Sequence, residues 1–165
     1  MTQKVVVIIL VVLVAVQFGM AQPGDEPENR PQGFAYGGIG VVAGDGESAA
    51  LSQIGGGGEG AFYKGLGASV DVGYLFPTRG FSGGFGTLSP GVLYQFSRHQ
   101  KANPFVIGGY TLGFRDGTVN MVHFGGGVNY WFSERIGLRI EARDHVPTDA
   151  SEYHHFVVRI GISGR

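Results

Sequence analysis

The stretch Ile136–His145, with the sequence IGLRIEARDH, alternates apolar and charged side chains. Its apolar positions are Leu138, Ile140 and Ala142, and the charged positions between them are Arg139, Glu141 and Arg143. A period of two predicts an extended strand, because successive side chains leave a strand on opposite faces. Such a strand is compatible with a soluble sheet that has one solvent-exposed face. It is also compatible with a closed ring of strands whose charged faces point inwards. The rest of the chain has to distinguish between these two architectures.

Length and composition set the first limits. The 165 residues are enough for one domain, and the formal net charge of -1 argues against a nucleic-acid-binding protein, which normally carries a basic surplus. The absence of cysteine excludes a disulfide framework and a thiolate zinc site. Glycine is abundant, at 31 residues, but 12 Phe and 7 Tyr argue against a disordered chain, because disordered chains are poor in aromatic residues.

The first 21 residues have the pattern of a secretory signal peptide. Lys4 precedes the apolar run Val5–Val16, and small residues surround a cleavage site that we place after Ala21. A single transmembrane anchor is the alternative, but the run is shorter than the roughly 20 apolar residues that span a bilayer. Residues 22–32 contain three prolines and several charges without periodicity, and this composition predicts a flexible lead-in.

From residue 33 to the end, the sequence predicts strands and turns and no helix. The eight predicted strands are 33–42, 57–63, 66–76, 84–96, 104–113, 121–131, 136–145 and 154–163. A Gly-, Asp- and Ser-rich connection is expected over residues 43–54, and a tight turn at Lys64–Gly65. The first, third, fifth and seventh connections are expected to be longer than the others, as is typical of transmembrane barrels. Strands of about ten residues suit a tilted crossing of a bilayer, in which the sheet must close on itself to leave no open edge.

Aromatic residues favour the membrane alternative over a soluble barrel with an aromatic core. Aromatic belts are expected where membrane barrels meet the two interfaces. The aromatic residues near predicted strand ends are Tyr74, Phe76, Tyr94, Phe96, Tyr130, Trp131 and Phe132. The apolar faces of the eight strands also lack charged residues. The pattern therefore predicts an all-β, eight-stranded antiparallel up-and-down transmembrane β-barrel over residues 33–165.

With these features the chain resembles the small bacterial outer-membrane β-barrel proteins of the OmpA/OmpX-like superfamily. The resemblance rests on the signal peptide, the eight-strand meander, the aromatic strand ends and the segment Arg135–His145 before the last strand. It implies a monomer in the bacterial outer membrane, in contact with outer-membrane lipid and lipopolysaccharide and inserted by the outer-membrane assembly machinery. One departure is that the sequence ends in Ile162–Arg165, whereas members usually end on an aromatic residue.

Inward-facing charged residues are the candidate functional site. Strand alternation predicts a lumen ion-pair network, centred on residues 139, 141, 143 and 159, and places Gln95 and Asn129 on the same inward faces. The members of the network are Glu59, Asp71, Arg139, Glu141, Arg143 and Arg159. Buried charges are tolerated when they are paired, and three acids balance three arginines here. The network is interpreted mainly as structural filling, since eight strands leave an interior that side chains can fill. A narrow path for ions or solutes, gated by these pairs, is the alternative.

The sequence leaves three functions open. The first is a structural barrel or a minor, largely plugged pore without catalytic residues, cofactor or metal. The second is a binding protein of the cell surface that uses its outer loops, of which residues 43–54 are expected to be the longest. The third is an outer-membrane hydrolase acting on lipid A, for which a His, acid and Ser cluster near the last outer loop is the only indication. That cluster comprises Asp144, His145, Asp149, Ser151, Glu152, His154 and His155, without a His-x-Ser motif on the final strand.

Overall fold

The computed structural model describes residues 30–44, 46–97, 100–149 and 153–165. Its eight strands are β1 (Gln32–Gly44), β2 (Glu47–Tyr63), β3 (Leu66–Pro77), β4 (Phe85–Gln95), β5 (Ala102–Phe114), β6 (Thr118–Trp131), β7 (Ile136–Pro147) and β8 (His154–Gly164). Each strand pairs antiparallel with the next, and β1 pairs with β8 to close the ring. The eight-stranded up-and-down β-barrel predicted from the sequence is therefore confirmed. The described part of the chain contains no helix that is long and apolar enough to cross a membrane.

The predicted connection over residues 43–54 is wrong, because β2 begins at Glu47 rather than near residue 57. Its register with β1 runs without interruption from Gly44 opposite Glu47 to Gln32 opposite Glu59. Glycine, alanine and serine in this segment suggest a loop in isolation. In the closed ring, however, β2 pairs with β1 from Glu47 onwards and with β3 from Leu51 onwards, and small side chains suit the crowded wall of a narrow barrel.

The predicted alternation of long and short connections is also wrong. The strands end at two rims, which we call the terminal rim, where β1 begins and β8 ends, and the loop rim at the opposite end. The loop rim carries the connections at 45–46, 78–84, 115–117 and 148–153, and the terminal rim those at 64–65, 96–101 and 132–135. Neither rim has systematically longer connections. The Lys64–Gly65 turn lies where the sequence predicts it, with both residues at positive φ.

The outer wall is apolar and the interior is polar, the reverse of a soluble barrel. On β8, for example, the exposed side chains are Phe156, Val158, Ile160 and Ile162, whereas Arg159 between them is buried. The expectation that the apolar faces lack charged residues is wrong at two positions: Asp144 and His154 are the only Asp, Glu, Lys, Arg or His residues at outward positions of the described strands. A continuous apolar exterior of this extent suits hydrocarbon rather than water.

Candidate functional site

The six residues predicted to form the lumen network all point into the barrel, and each is at most 5% exposed. They come from four strands: Glu59 from β2, Asp71 from β3, three residues from β7 and Arg159 from β8. Residues 139, 141 and 143 on β7 share the inward face because side chains two positions apart lie on the same side of a strand. The structure thus brings together on one interior surface residues that are far apart in sequence.

Glu141 is the centre of this cluster, because its carboxylate contacts all three arginines. Its Oε2 accepts a hydrogen bond from Arg139 Nε at 3.0 Å, and its Oε1 accepts one from Arg143 Nε at 2.6 Å. Arg159 donates to the same Oε1 through Nη2. Three charge-assisted hydrogen bonds to one carboxylate are strong compared with bonds between neutral groups.

The two other acids, Glu59 and Asp71, connect β7 to strands on other sides of the barrel through ion pairs. Glu59 Oε2 accepts a hydrogen bond from Arg139 Nη1 at 2.9 Å. Asp71 Oδ2 accepts one from Arg143 Nη1 at 2.6 Å, and Arg159 Nη1 lies 3.6 Å from Asp71 Oδ1. Three arginines therefore face three carboxylates in a buried, charge-balanced cluster, the condition under which buried ions are tolerated.

Neutral side chains complete the cluster. Gln95 Nε2 donates to Glu59 Oε1 at 3.1 Å, and Asn129 Nδ2 approaches the same oxygen at 3.4 Å. Both amides were among the inward residues expected from the sequence. They satisfy part of the remaining hydrogen-bonding capacity of the Glu59 carboxylate.

Aromatic rings pack against two of the guanidinium groups, a contact that was not predicted from the sequence. Arg139 lies between the rings of Phe34 and Phe105, at 4.4 and 4.1 Å from the ring centroids. Arg159 lies 4.3 Å from the centroid of Tyr36, whose hydroxyl donates to Asp71. The sequence does contain a pattern that indicates the inward position of these rings. Phe34 and Tyr36 occupy alternate positions on β1, and the residues between and beside them are small and face outwards. Cation–π contacts of this kind stabilise a desolvated guanidinium.

A second polar group, also missed, lies beyond the charged cluster towards the loop rim. The hydroxyl of Thr111 is 2.9 Å from Ser89 Oγ, 2.9 Å from His123 Nδ1 and 3.1 Å from His145 Nδ1. The two imidazole rings are 5.7 Å apart at their centroids. No group of three or more His, Asp and Glu side chains in the described segments is arranged to hold a metal ion.

An apolar layer closes the interior next to the loop rim. Leu51, Leu75 and Val157 form a buried cluster, and Val42 and Phe85 pack against it. All three buried residues lie near the loop-rim ends of their strands. From the charged cluster to the loop rim the interior therefore changes from ion pairs, through neutral hydrogen bonds, to hydrocarbon. A second buried apolar cluster, Leu93, Phe105 and Ile107, lies on the terminal-rim side.

The His, acid and Ser cluster suggested for a hydrolase does not assemble as one group. Strand alternation places His145 and His155 inside the barrel, where His155 Nδ1 is 3.3 Å from the carbonyl oxygen of His145. It places Asp144 and His154 on the outer wall, with His154 Nδ1 2.7 Å from Asp144 Oδ2. Asp149 is exposed in the connection that follows β7. The remaining two residues, Ser151 and Glu152, lie outside the described residues.

Comparison with known proteins identifies the architecture. No protein-family model and no curated protein sequence matches the chain. Neisserial surface protein A (NspA) is similar in structure, with a TM-score of 0.64 at 12% identity over 81% of this chain and 96% of that chain. The attachment invasion locus protein Ail of Yersinia pestis gives 0.54 at 10% identity over 81% and 97% of the two chains. A de novo designed transmembrane β-barrel gives 0.57 at 18% identity over 81% and 93%. The chain therefore has the transmembrane fold of the small eight-stranded bacterial outer-membrane β-barrels.

Proposed function

We propose that this protein is a monomeric barrel of the bacterial outer membrane with a structural role, or at most the role of a minor, largely plugged pore. The apolar outer wall supports the location, because in water it would leave a large hydrophobic surface exposed. The likeness to small outer-membrane barrels supports it as well. Outer-membrane lipid, lipopolysaccharide and the outer-membrane assembly machinery are the partners that this location entails.

The observation that carries the proposal is that ion pairs cross the interior. Arg143 on β7 and Asp71 on β3 belong to strands on opposite sides of the eight-membered ring, and their side chains meet directly. A second ion pair joins Arg139 on β7 to Glu59 on β2. An ion passing this level has to displace paired charges, and nearer the loop rim it meets the apolar layer of Leu51, Leu75 and Val157. Both the ion pairs and the apolar layer favour an interior that is filled by side chains over one that conducts ions.

Ion flux through liposomes containing the refolded mature protein tests the proposal. We expect a leak of potassium close to that of protein-free liposomes. The double variant Asp71→Ala with Arg143→Ala removes one crossing pair without changing net charge and is expected to raise the leak. Arg135→Ala, in the exposed turn after β6, is the matched control. A large leak from the unmodified protein would overturn the plugged-barrel proposal.

The export route is part of the same proposal. Residues 1–29 lie outside the described residues, so the signal peptide of residues 1–21 and most of the lead-in of residues 22–32 rest on the sequence alone. We propose cleavage after Ala21. The mass of the protein recovered from outer-membrane fractions tests this, because retention of the first 21 residues would contradict a cleaved signal.

A binding role at the cell surface is the second candidate, and one cleft favours it. The cleft has a volume of about 300 Å³ at the loop rim, between the connections at 78–84 and 115–117, and its walls include Phe85, Phe114 and Arg115. The predicted binding loop at 43–54 is instead mostly strand, and this cleft is a described feature of the loop rim that a ligand could contact. Loss of ligand retention by whole cells on Arg115→Ala would support this role.

A further inference from the structure

The two rims of the barrel differ in charge. Each of the three connections at the terminal rim carries an exposed cation, and two further arginines flank the β1–β8 seam there. These cationic residues, which we call the basic rim, are Arg30, Lys64, Lys101, Arg135 and Arg165. Among the described residues of this rim, Glu134 is the only acidic side chain. In and next to the loop-rim connections, the described charged residues are of both signs: Glu47, Arg79, Arg115, Asp116 and Asp149.

The positive charges of the basic rim are not compensated by acids. The loop rim has an exposed ion pair in which Arg115 Nε lies 3.5 Å from Asp116 Oδ2. No basic-rim cation forms an ion pair with a carboxylate within the ranges that the structure describes. Arg165, for example, donates from Nε to the main-chain carbonyl oxygen of Glu134 at 2.9 Å. Uncompensated charge of one sign on a surface attracts groups of the opposite sign.

Aromatic residues place the basic rim at the level of lipid headgroups. The exposed aromatic residues beside the three connections are Phe62, Tyr63, Tyr94, Phe96, Tyr130 and Phe132. Aromatic belts of this kind mark the interface between the apolar core of a membrane and its headgroups. Lys64 directly follows one of these aromatic pairs, and its Nζ lies 5.2 Å from the ring centroid of Tyr63. The cations of the connections therefore lie where the phosphate groups of lipids lie.

We propose that the basic rim binds phospholipids of net negative charge, with Lys64, Lys101 and Arg135 contacting their phosphodiester groups. This inference rests on the membrane location proposed above, and it applies to either leaflet because it uses only the charge of the rim. A guanidinium group can donate two parallel hydrogen bonds to a phosphate, and an ammonium group attracts it as a point charge. The acyl chains of such a lipid lie against the apolar wall, where Ile136 and Ile162 are exposed next to the rim.

A zwitterionic phospholipid suits the basic rim less well. Its headgroup carries a positive charge beside the phosphate, and this charge meets the like charges of the rim. Glu134 is the one acidic side chain that the described part of the rim offers to it. Repulsion between like charges therefore offsets part of the attraction that the phosphate provides.

A lipid competition on the refolded mature protein tests the inference. Detergent micelles are doped with equal amounts of phosphatidylglycerol and phosphatidylcholine that have identical acyl chains, and the retained lipids are counted by native mass spectrometry. We expect the protein to retain several-fold more phosphatidylglycerol. Equal retention would overturn the inference, and it is the result expected if the acidic residues of the lead-in, Asp25, Glu26 and Glu28, neutralise the rim.

Single substitutions assign the preference to the basic rim. Lys64→Gln and Lys101→Gln each remove one exposed charge, and each is expected to lower the preference for phosphatidylglycerol about two- to fivefold, as for an exposed ion pair. Arg79→Gln removes one exposed charge from the loop rim and is the matched control, which should keep the preference. An undiminished preference in the double variant of Lys64 and Lys101, or an equal loss in Arg79→Gln, would contradict the assignment.

Measurements on the unmodified protein cover the case in which the variants do not fold. Ammonium acetate screens exposed charges, so the preference for phosphatidylglycerol should fall as the salt concentration rises. Glycerol phosphate, a soluble headgroup without acyl chains, should compete only weakly. A preference that is independent of salt, or complete displacement of the lipid by glycerol phosphate, would refute lipid binding at the basic rim. Failure of the membrane proposal gives a different result, because a soluble protein would retain neither lipid.

Discussion

Arg143 and Asp71 meet across the full width of the barrel, with Arg143 Nη1 2.6 Å from Asp71 Oδ2. Their strands, β7 and β3, are four places apart in the ring of eight, so the pair joins opposite walls. Arg143 also donates to Glu141, two positions away on its own strand, but both basic partners of Asp71, Arg143 and Arg159, lie on distant strands. The pair therefore forms only when the sheet has curled far enough to bring β3 opposite β7, and it in turn stabilises the closed ring.

Loss of the central carboxylate is expected to be the most damaging change in the interior. Glu141→Gln leaves three buried arginines facing two acids. Removal of one partner from a buried pair costs about 3–5 kcal/mol of folding free energy. Urea unfolding in detergent micelles, followed by heat-modifiable gel mobility, measures the change.

Glu134→Gln is the control for this substitution, because Glu134 lies in the exposed turn between β6 and β7. Exposed charges contribute at most about 1 kcal/mol. Equal unfolding midpoints for the two variants would show that the interior ion pairs contribute little to stability.

The apolar layer at the loop rim is expected to behave as a protein core. Leu75 is almost completely buried, and Leu75→Ala should cost about 2–5 kcal/mol through lost contacts and the cavity that remains. Leu88→Ala on β4, whose side chain faces outwards, is the matched control and should cost less, because detergent or lipid fills the space. If Leu75→Ala and Leu88→Ala lower the free energy of unfolding by the same amount in a urea titration, the apolar layer is not tightly packed.

Two glycines of β2 are expected to differ sharply in their tolerance of alanine. A Cβ at Gly57 would lie 2.7 Å from both Cα and Cβ of Asp71, a backbone neighbour that cannot move aside easily. A Cβ at Gly60 meets nothing within 4 Å. We therefore expect Gly57→Ala to fold poorly, whereas Gly60→Ala changes stability by less than about 1 kcal/mol. The yield of the heat-modifiable form after refolding distinguishes them, and equal yields would contradict the close packing of β2 on β3.

The single tryptophan reports on the terminal rim. Trp131 points inwards, and the guanidinium of Arg165 lies 4.2 Å from its ring centroid. We expect its fluorescence to resist quenching both by iodide in water and by lipids with brominated acyl chains. The control replaces Trp131 by Phe and Tyr130, its outward neighbour, by Trp. Brominated lipid should quench the fluorescence of that variant strongly. Equally strong quenching of the unmodified protein would show that Trp131 faces the lipid rather than the interior.

The sequence predicted the ring and its faces well because both follow from the period of two. Once β7 is read as a strand, Arg139, Glu141 and Arg143 must share one side. A charged side can only be the interior if the opposite side faces lipid. The positions of Glu59, Asp71 and Arg159 followed from the same rule applied to three other strands.

The sequence failed where side-chain size rather than polarity decides the structure. The segment 47–56 has few large residues, so its strand pattern is too weak to distinguish from a loop. Its pairing comes from β1 along its whole length and from β3 beginning at Leu51. The partner of each charged side chain could not be predicted from the sequence either, because it depends on how far neighbouring strands are shifted along one another. For the same reason the hydrogen bonds of Thr111 with the two buried histidines could not be predicted.

The pairing of β1 with β8 has a consequence for the order of events during folding. It joins Gly33 to Gly164, whereas every other pairing links strands that are consecutive in the chain. Contacts between distant parts of a chain form slowly, because the entropy of closing a long loop is lost before they contribute. Until this seam forms, β1 and β8 each expose an edge of unpaired amide and carbonyl groups, which hydrocarbon cannot satisfy. Entry into the bilayer and closure of the seam are therefore one coupled step.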